Sequence, residues 1–398
     1  MAVSDERCFV DLNYSAEDDE FRREIRDWLE SNLVGRFAHL RGLGGSGREH
    51  EAFEERLEWN RHLAEHGWSC VSWPKEHGGR GLSLLQQVIF HEEYARADAP
   101  ARVNHFGEEL LGPTLIAFGT PEQQARFLPR IVAVEELWCQ GYSEPGAGSD
   151  LAAVSTKARL DNGQWVIDGQ KVWTSLAHHA DWCFVIARTG SGPRKHDGLS
   201  YLLVPMNQPG VEIRPILQLT GTSEFNEVFF DGAVTAEDLV VGAPGAGWSV
   251  AMGTLGFERG VSTLAQQIAF QRELGAVVEL ARSNGTINDP IIQDKIVSAH
   301  MGLEMLRLHG LRTLSGEQGI EASITKLLWA PWHRSLGELA MAVSGPAGLT
   351  VSEAPYELDA LQTLFLFSRA DTLYGGSDEI QRNVIAERVL GLPKEARA

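Results

Sequence analysis

An α+β fold is predicted, with helices in the first third, strands in the middle and helices again to the end. Three observations carry this. Apolar residues recur at helical spacing before about residue 137. Between about 138 and 240 they give way to short alternating runs rich in β-branched and aromatic residues. After Gly242-Ala243-Pro244-Gly245-Ala246-Gly247 the helical period returns and persists. Runs of one element type followed by runs of another favour packed subdomains over a doubly wound sheet. The 398 residues, 43% of them hydrophobic, exceed the ~250–300 at which a single core stops growing. Domains are expected at 1–137 (helical), 138–240 (β) and 241–398 (helical).

Taken in order, Ser15-Ala16-Glu17-Asp18 is a capping-box pattern, and Phe21, Ile25, Trp28 and Leu29 follow on one helical face. Gly42-Leu43-Gly44-Gly45-Ser46-Gly47 is expected to be a flexible surface loop. A helix runs from Leu57 to His66 and Gly67 stops it; Trp73 to Gly79 is a turn; Ser83 to Arg96 is helical. Thr120-Pro121-Glu122-Gln123 combines a cap, proline at the first position and glutamine three residues on, so Gln124 to Val132 continues a helix. Ser155 to Leu160, the turn Asp161-Asn162-Gly163 and Gln164 to Asp168 form a hairpin. Asp181 to Arg188, Leu199 to Pro205 and Glu227 to Phe230 are further strands. Helices are expected at 248–283, 290–316, 319–344, 353–373 and 376–389.

The formal net charge is −19. Such a chain repels phosphate backbones and anionic lipid, which argues against nucleic-acid and membrane partners. Four cysteines, Cys8, Cys70, Cys139 and Cys183, form no C-x-x-C pair and stand at no metal-ligand spacing to a histidine, so no metal is expected. Met1 to Asn13 carries charges where a signal peptide needs an apolar run, and a cytoplasmic location is the expectation.

Four segments carry candidate chemistry. Tyr142-Ser143-Glu144-Pro145-Gly146-Ala147-Gly148-Ser149-Asp150 offers close backbone approach and hydroxyl donors to a flat heterocycle or a diphosphate; an ordinary helix-to-strand turn would look the same. Gln170-Lys171-Val172-Trp173-Thr174-Ser175 sets an indole beside hydroxyls, as a stacked ring with polar edges requires, or as a core tryptophan does. Gly256-Phe257-Glu258-Arg259-Gly260 holds a carboxylate that is either a general base or half of a solvated helix pair. Leu373-Tyr374-Gly375-Gly376-Ser377-Asp378-Glu379-Ile380-Gln381-Arg382 is a loop and helix start that either receives a carbonyl oxygen or merely caps a turn.

In order and spacing together, these segments resemble the acyl-CoA dehydrogenase family over nearly the whole chain. Ser143 to Asp150 resembles the flavin signature, Lys171-Val172-Trp173 with Ala180-Asp181-Trp182 the second flavin segment, and Tyr374 to Arg382 the C-terminal signature. The resemblance implies a middle β-barrel or sandwich, a C-terminal four-helix bundle, and FAD as cofactor. It implies that Ser143 and Ser175 bond the ring edge, with Gln140, Gly148 and Thr174 alongside, and that Trp173 packs along the ring. Ser149 would lie near both cofactor and CoA. Arg282 would grip the FAD diphosphate and Gln293 the adenosine part. Ser377 and Glu379 would reach the cofactor from the C-terminal loop. The family places its catalytic carboxylate either directly after the loop tyrosine, here Gly375, or on the long helix before an arginine, here Glu258 before Arg259. Glu258 is therefore the expected base. Its arrangement resembles the isovaleryl and long-chain branches, with Arg259 and the Gly375 backbone N–H at the substrate. The implied reaction is α,β-dehydrogenation of an acyl-CoA to the trans-2-enoyl-CoA, with an electron-transfer flavoprotein as acceptor.

Gly285, Met341 and Gln140 stand where the family commonly has an aromatic, a glutamine, and a tyrosine or leucine. These departures put the usual homotetramer in doubt and point to a homodimer or to an assembly with a paralogous subunit, as in the α2β2 heterotetramers of actinobacterial steroid-degrading relatives. A non-catalytic partner subunit and an oxygen-using flavoenzyme of the same fold stay open. Gly253, Gly256 and Gly260 around Glu258 either make room for a bulky acyl group or serve close helix packing.

Overall fold

A computed structural model describes residues 15–257, 262–313, 320–351 and 357–394. In the first region, α1 (Ala16–Asn32) begins at the expected capping box: Ser15 accepts from the Asp18 N–H, and Asp18 accepts from the Ser15 N–H. It buries Phe21, Ile25 and Leu29 beneath Trp59, Leu63, Trp68 and Phe90. The next helices are α2 (Phe53–Glu65) and α3 (Leu84–Arg96, capped by Ser83). A π-helical turn at Phe106–Leu111 leads into α4 (Gly112–Phe118), and α5 (Pro121–Val132) is capped by Thr120. Helix at 106–118 was not expected, because Gly107, Gly112 and Pro113 interrupt the apolar period. Gly112 is needed there, since any Cβ would run into the Trp73 indole, whose Nε1 donates to the Glu108 carbonyl at 2.8 Å.

One eight-stranded mixed sheet follows. Its strands are β1 (Trp138–Gly141), β2 (Lys157–Asp161), β3 (Gln164–Ser175), β4 (Trp182–Arg188), β5 (Leu199–Pro205), β6 (Val211–Pro215), β7 (Phe225–Ala236) and β8 (Val240–Val241). The order is β6-β7-β3-β2-β4-β5-β8, with β1 parallel to β4. The β2–β3 hairpin turns on Asn162 and Gly163, both at positive φ, as a two-residue hairpin loop requires. Central strands β4 and β5 are buried on both faces. Phe184, Ile186, Tyr201 and Leu203 join the core shared with the N-terminal helices. Cys183, Val185, Leu202 and Val204 fill a second core on the other side of the sheet.

The last region holds α6 (Gly247–Phe257), α7 (Ser262–Asn284), α8 (Pro290–Thr313), α9 (Ile320–Ser344), α10 (Ala360–Phe367) and α11 (Asp378–Val384). Helices α7, α8 and α9 pack pairwise, with α10 against α9, around Phe270, Leu274, Val277, Leu303, Leu306, Trp329, Leu336 and Leu339. The expected helix at 353–373 is much shorter. It starts only at Ala360, where the Asp359 carboxylate accepts from the Leu361 and Gln362 N–H groups, and it ends at Phe367; residues 352–356 lie outside the described part. The expected start at 376 moves to Asp378, since Ser377 is the cap.

The glycine segment 42–47 is also corrected. Gly44 and Gly47 are buried. The Gly47 N–H donates to buried Glu224 at 3.1 Å, and a Cβ there would stand 2.9 Å from the Phe367 ring, with φ at +83. The segment wedges between the β sheet and α10 because only glycine fits that conformation and that space.

A partly buried charge cluster ties the helical bundle together. His333 of α9 has Nδ1 2.6 Å from Asp371 and Nε2 2.8 Å from Glu273 of α7. A neutral imidazole has one N–H and could donate to only one of these carboxylates. Burial alone would push the His333 pKa down; the hydrogen bonds to Asp371 and Glu273 outweigh it and hold it up at about 9. The raised value fixes the sign of the linkage. This contribution to stability is complete below the ordinary pKa of 6.5 and is lost as pH rises through about 9. The melting temperature should therefore fall over that window. In His333→Gln that component of the fall should be missing, as differential scanning fluorimetry across pH will show.

Candidate active site

The site begins where β1 ends. Tyr142 to Asp150 closes a tight turn in which the Glu144 and Ala147 backbones exchange two hydrogen bonds of 3.0 Å each. Glu144 is buried and held by several donors. Lys171 Nζ reaches Oε1 at 2.8 Å and the Thr156 N–H reaches it at 2.9 Å; Ser155 gives Oε2 its N–H at 2.6 Å and its hydroxyl at 2.7 Å. Lys171 Nζ also donates to the carbonyls of Tyr142 (3.1 Å) and Ile186 (2.8 Å). Burial raises the Glu144 pKa, but the Lys171 charge and these hydrogen bonds more than reverse it, to about 2. Burial pushes the Lys171 ammonium down against the opposing pull of Glu144. A carboxylate so fully committed takes no proton from a substrate; the pair fastens the turn to β3 and β4.

Two residues past Lys171, the β3–β7 register shifts between Lys171 and Thr174. In that bulge Trp173 has φ 61, a left-handed conformation that costs a bulky residue about 1–3 kcal/mol. Its indole is nonetheless 58% exposed, touching Phe225 edge-on at 6.1 Å. The Val172 N–H donates to the Ser143 carbonyl at 2.9 Å, so the first two candidate segments lie side by side.

The surroundings fit a flat ring with polar edges. Gln140 Nε2 and Thr174 Oγ1 are buried with no hydrogen-bond partner among the described residues, which is costly unless a ligand satisfies them. Gly146 and Gly148 have no atom within 4 Å of where a Cβ would stand. Ser143 and Ser175 are half-buried and Ser149 is exposed. These residues would hold FAD by the ring edge and one ring face.

The remaining candidates lie elsewhere on the chain. Arg282 is exposed near the end of α7 and paired with Glu279 at 2.5 Å. Gln293 is exposed on α8 and donates to the Ile287 carbonyl at 2.9 Å. Gly375 is exposed with φ 61. Ser377 caps α11, and Glu379 is an exposed first-turn residue. Gly285 has φ 81, a conformation in which the aromatic residue of the resemblance would be strained. Glu258, Arg259 and Gly260 lie outside the described residues.

The helix that leads to Glu258 is described. Thr254 on α6 meets Thr114 at 2.8 Å and Tyr201 at 3.5 Å. A Cβ on Gly253 would stand 2.5 Å from the Phe118 ring, whereas one on Gly256 would meet no atom of the described residues within 4 Å. Gly253 thus serves close packing and Gly256 borders open space. Sequence reading assigned no role to Lys171 within its motif and missed Thr114, Thr254 and Tyr201. Each acts through partners far along the chain, and no local signal marks them.

No described helix is long and apolar enough to cross a membrane. Residues 15–135, 139–233 and 245–390 match the family models described as the N-terminal, middle and C-terminal domains of acyl-CoA dehydrogenase. The chain is 65% identical to acyl-CoA dehydrogenase IpdE1 of Mycobacterium tuberculosis, over 95% of this chain and 99% of that one. Among solved structures, the Tcur3481-Tcur3483 steroid ACAD superimposes with a TM-score of 0.83 at 30% identity, covering 97% of this chain and 100% of that one. The ChsE4-ChsE5 complex from Mycobacterium tuberculosis gives 0.81 at 30% identity, covering 97% and 100%. With that sequence identity and all three domain matches behind it, the chain belongs to the acyl-CoA dehydrogenase family, the FAD-dependent oxidoreductases acting on CH–CH groups.

Proposed function

We propose that this chain dehydrogenates a bulky acyl-CoA thioester to its trans-2-enoyl-CoA, with Glu258 as the base that takes the α proton. One observation carries the choice of base: the residue after Tyr374 is glycine, so the C-terminal loop offers no carboxylate at that position. Glu258 directly follows α6, whose last turns are anchored to Tyr201 and Thr114 through Thr254. Bound FAD supplies the hydride acceptor. The protein's own part is to acidify, orient and exclude water. The exposed Gly375 N–H donates to the thioester carbonyl oxygen, which lowers the cost of charge developing there. Water displaced by the acyl chain raises the proton affinity of Glu258. Ser149 and Arg259 contact the substrate, and an electron-transfer flavoprotein receives the two electrons.

Steroid-sized acyl groups are favoured by the space beside Gly256 and by the likeness to a steroid ACAD. A second subunit, another copy or a paralogue, completes the flavin site. The exposed ends of Arg282 and Gln293 support this, as does an apolar stripe on α8. Val297, Met301, Met305 and Leu308 recur there on one face, each at least half exposed.

In the purified holoenzyme, Glu258→Gln should keep its yellow colour while anaerobic bleaching by acyl-CoA slows at least ~100-fold; bleaching at the wild-type rate would remove Glu258 from the mechanism. Gly256→Leu should fold normally yet cut kcat/KM for a ring-bearing acyl-CoA about 10-fold or more relative to a short straight-chain one, which a two-substrate assay reads directly. Introducing Met301→Glu together with Met305→Glu should lower the mass measured by light scattering and release flavin, if α8 meets the second subunit.

A further inference from the structure

The charge cluster around His333 reaches the loop that presents Gly375. Asp371 accepts from His333 through one oxygen at 2.6 Å and from the Tyr374 hydroxyl through the other at 2.7 Å. Tyr374 immediately precedes Gly375. On the far side of the imidazole, Glu273 of α7 closes the chain at 2.8 Å, and Phe270 stacks on the ring at 4.4 Å. Lys326 of α9 lies 4.5 Å from the Tyr374 ring and 4.3 Å from that of Trp329. An unbroken path of hydrogen bonds therefore runs from α7 through α9 to the N-terminal side of the loop, whose far side is held by Gln381 Nε2 donating to the Gly375 and Gly376 carbonyls at 3.2 and 3.3 Å. Tyr374 and Leu373 both bond back to the Ala370 carbonyl, at 3.1 and 2.8 Å, while Gly375 and Gly376 both take positive φ.

Loops of paired glycines do not hold a donor still by themselves. A displaced oxyanion donor is expensive, since about 1 Å of misplacement can cost ~100-fold in rate. An ionised triad in which only His333 and Asp371 are buried is weak evidence for stability in itself. Its geometry makes sense as a brace.

We infer that His333 is a positioning residue: through Asp371 and the Tyr374 hydroxyl it sets the Gly375 N–H at the height where a thioester carbonyl oxygen is held. The inference rests on the role proposed above for Gly375. Charge-assisted hydrogen bonds on both ring nitrogens keep the imidazole from rotating, so Asp371 has a single position. The Tyr374 hydroxyl is then held by a fixed carboxylate, which steadies the backbone that enters Gly375.

Tyr374→Phe tests this with least disturbance, because it removes one hydroxyl and leaves the three charged side chains in place. His333→Gln is the second variant. Both are compared with wild-type holoenzyme by steady-state kinetics, melting temperature and amide exchange of peptides spanning 372–381. The expected result for Tyr374→Phe is faster exchange over that peptide and kcat lowered at least ~10-fold. KM should be nearly unchanged, and the melting temperature within a few degrees of wild type, roughly the effect of one lost hydrogen bond. His333→Gln should reproduce the exchange and kcat effects with a larger loss of melting temperature. Unchanged exchange in Tyr374→Phe overturns the brace, whatever the kinetics. Faster exchange with unchanged kcat overturns its link to the substrate. If wild-type holoenzyme bleaches with no acyl-CoA, the functional proposal fails instead, and the exchange data still decide whether the brace exists.

Discussion

A buried lysine and a buried glutamate hold the proposed cofactor side of this molecule in shape. Lys171 and Glu144 are both essentially inaccessible, and every strong hydrogen-bonding direction of the pair has a partner from a different stretch of chain: Tyr142, Ser155, Thr156 and Ile186. Such a pair gains little net stability over an apolar substitute, because desolvation cancels most of the attraction. What it gains is uniqueness. An ammonium that must satisfy three acceptors in a dry site admits one arrangement of the strands that bring them. The turn with Gly146 and Gly148 and the bulge with Trp173 both grow out of that arrangement. The left-handed strain at Trp173 is tolerated because both sides of the bulge are fixed, by Lys171 before it and by the paired Thr174 and Ser175 after it.

Much of this was legible in the sequence wherever the physics is local. Ser15, Ser83 and Thr120 announce their helices because a hydroxyl needs only the third residue on to make a cap. Asn162-Gly163 announces its hairpin because the turn needs two positive φ values. The strand at Leu199–Pro205 stands where its residue pattern put it. Illegible features all depend on distant partners. Gly42 to Gly47 looks like a free loop until Glu224 and Phe367 arrive beside it. Phe106 to Phe118 does not read as helix, because Gly112 is there for Trp73 and not for the helix. His333, Asp371 and Glu273 are ordinary letters, separated by 38 and 60 positions, and only the bundle makes them one cluster.

The glycines of α6 show the same division at the finest scale. Gly253 and Gly256 are a single turn apart, so no sequence pattern separates them. Their surroundings do. Phe118 closes on Gly253, so a methyl group there would have to push an aromatic ring out of place. Gly256 faces nothing within 4 Å among the described residues. A position that tolerates bulk sterically and yet carries glycine, next to the proposed base, is where room for a substrate would be kept. Thr254 lies between them and spends its hydroxyl on Thr114 and Tyr201, so the side of the helix opposite the open space is locked to the N-terminal helices and the sheet.

The two halves of the proposed cofactor site differ in how finished they are. On the sheet side, the buried Gln140 and Thr174 atoms without a partner among the described residues and the exposed Trp173 indole are all supplied by β1 and β3 of a single chain. On the helix side, Arg282 and Gln293 are exposed and occupied with neighbours in their own chain, Glu279 and the Ile287 carbonyl. That occupation is cheap to give up. An exposed i,i+3 ion pair contributes at most about 1 kcal/mol, while a guanidinium on a diphosphate makes charge-assisted, bidentate bonds of roughly twice the strength of neutral ones. An arginine parked on a weak partner at the surface, on helices whose apolar stripe faces outward, accords with the proposal that some of its contacts are kept for a neighbour's flavin. On the proposed reading, assembly and cofactor binding would then be one linked equilibrium, each stabilising the other by mass action.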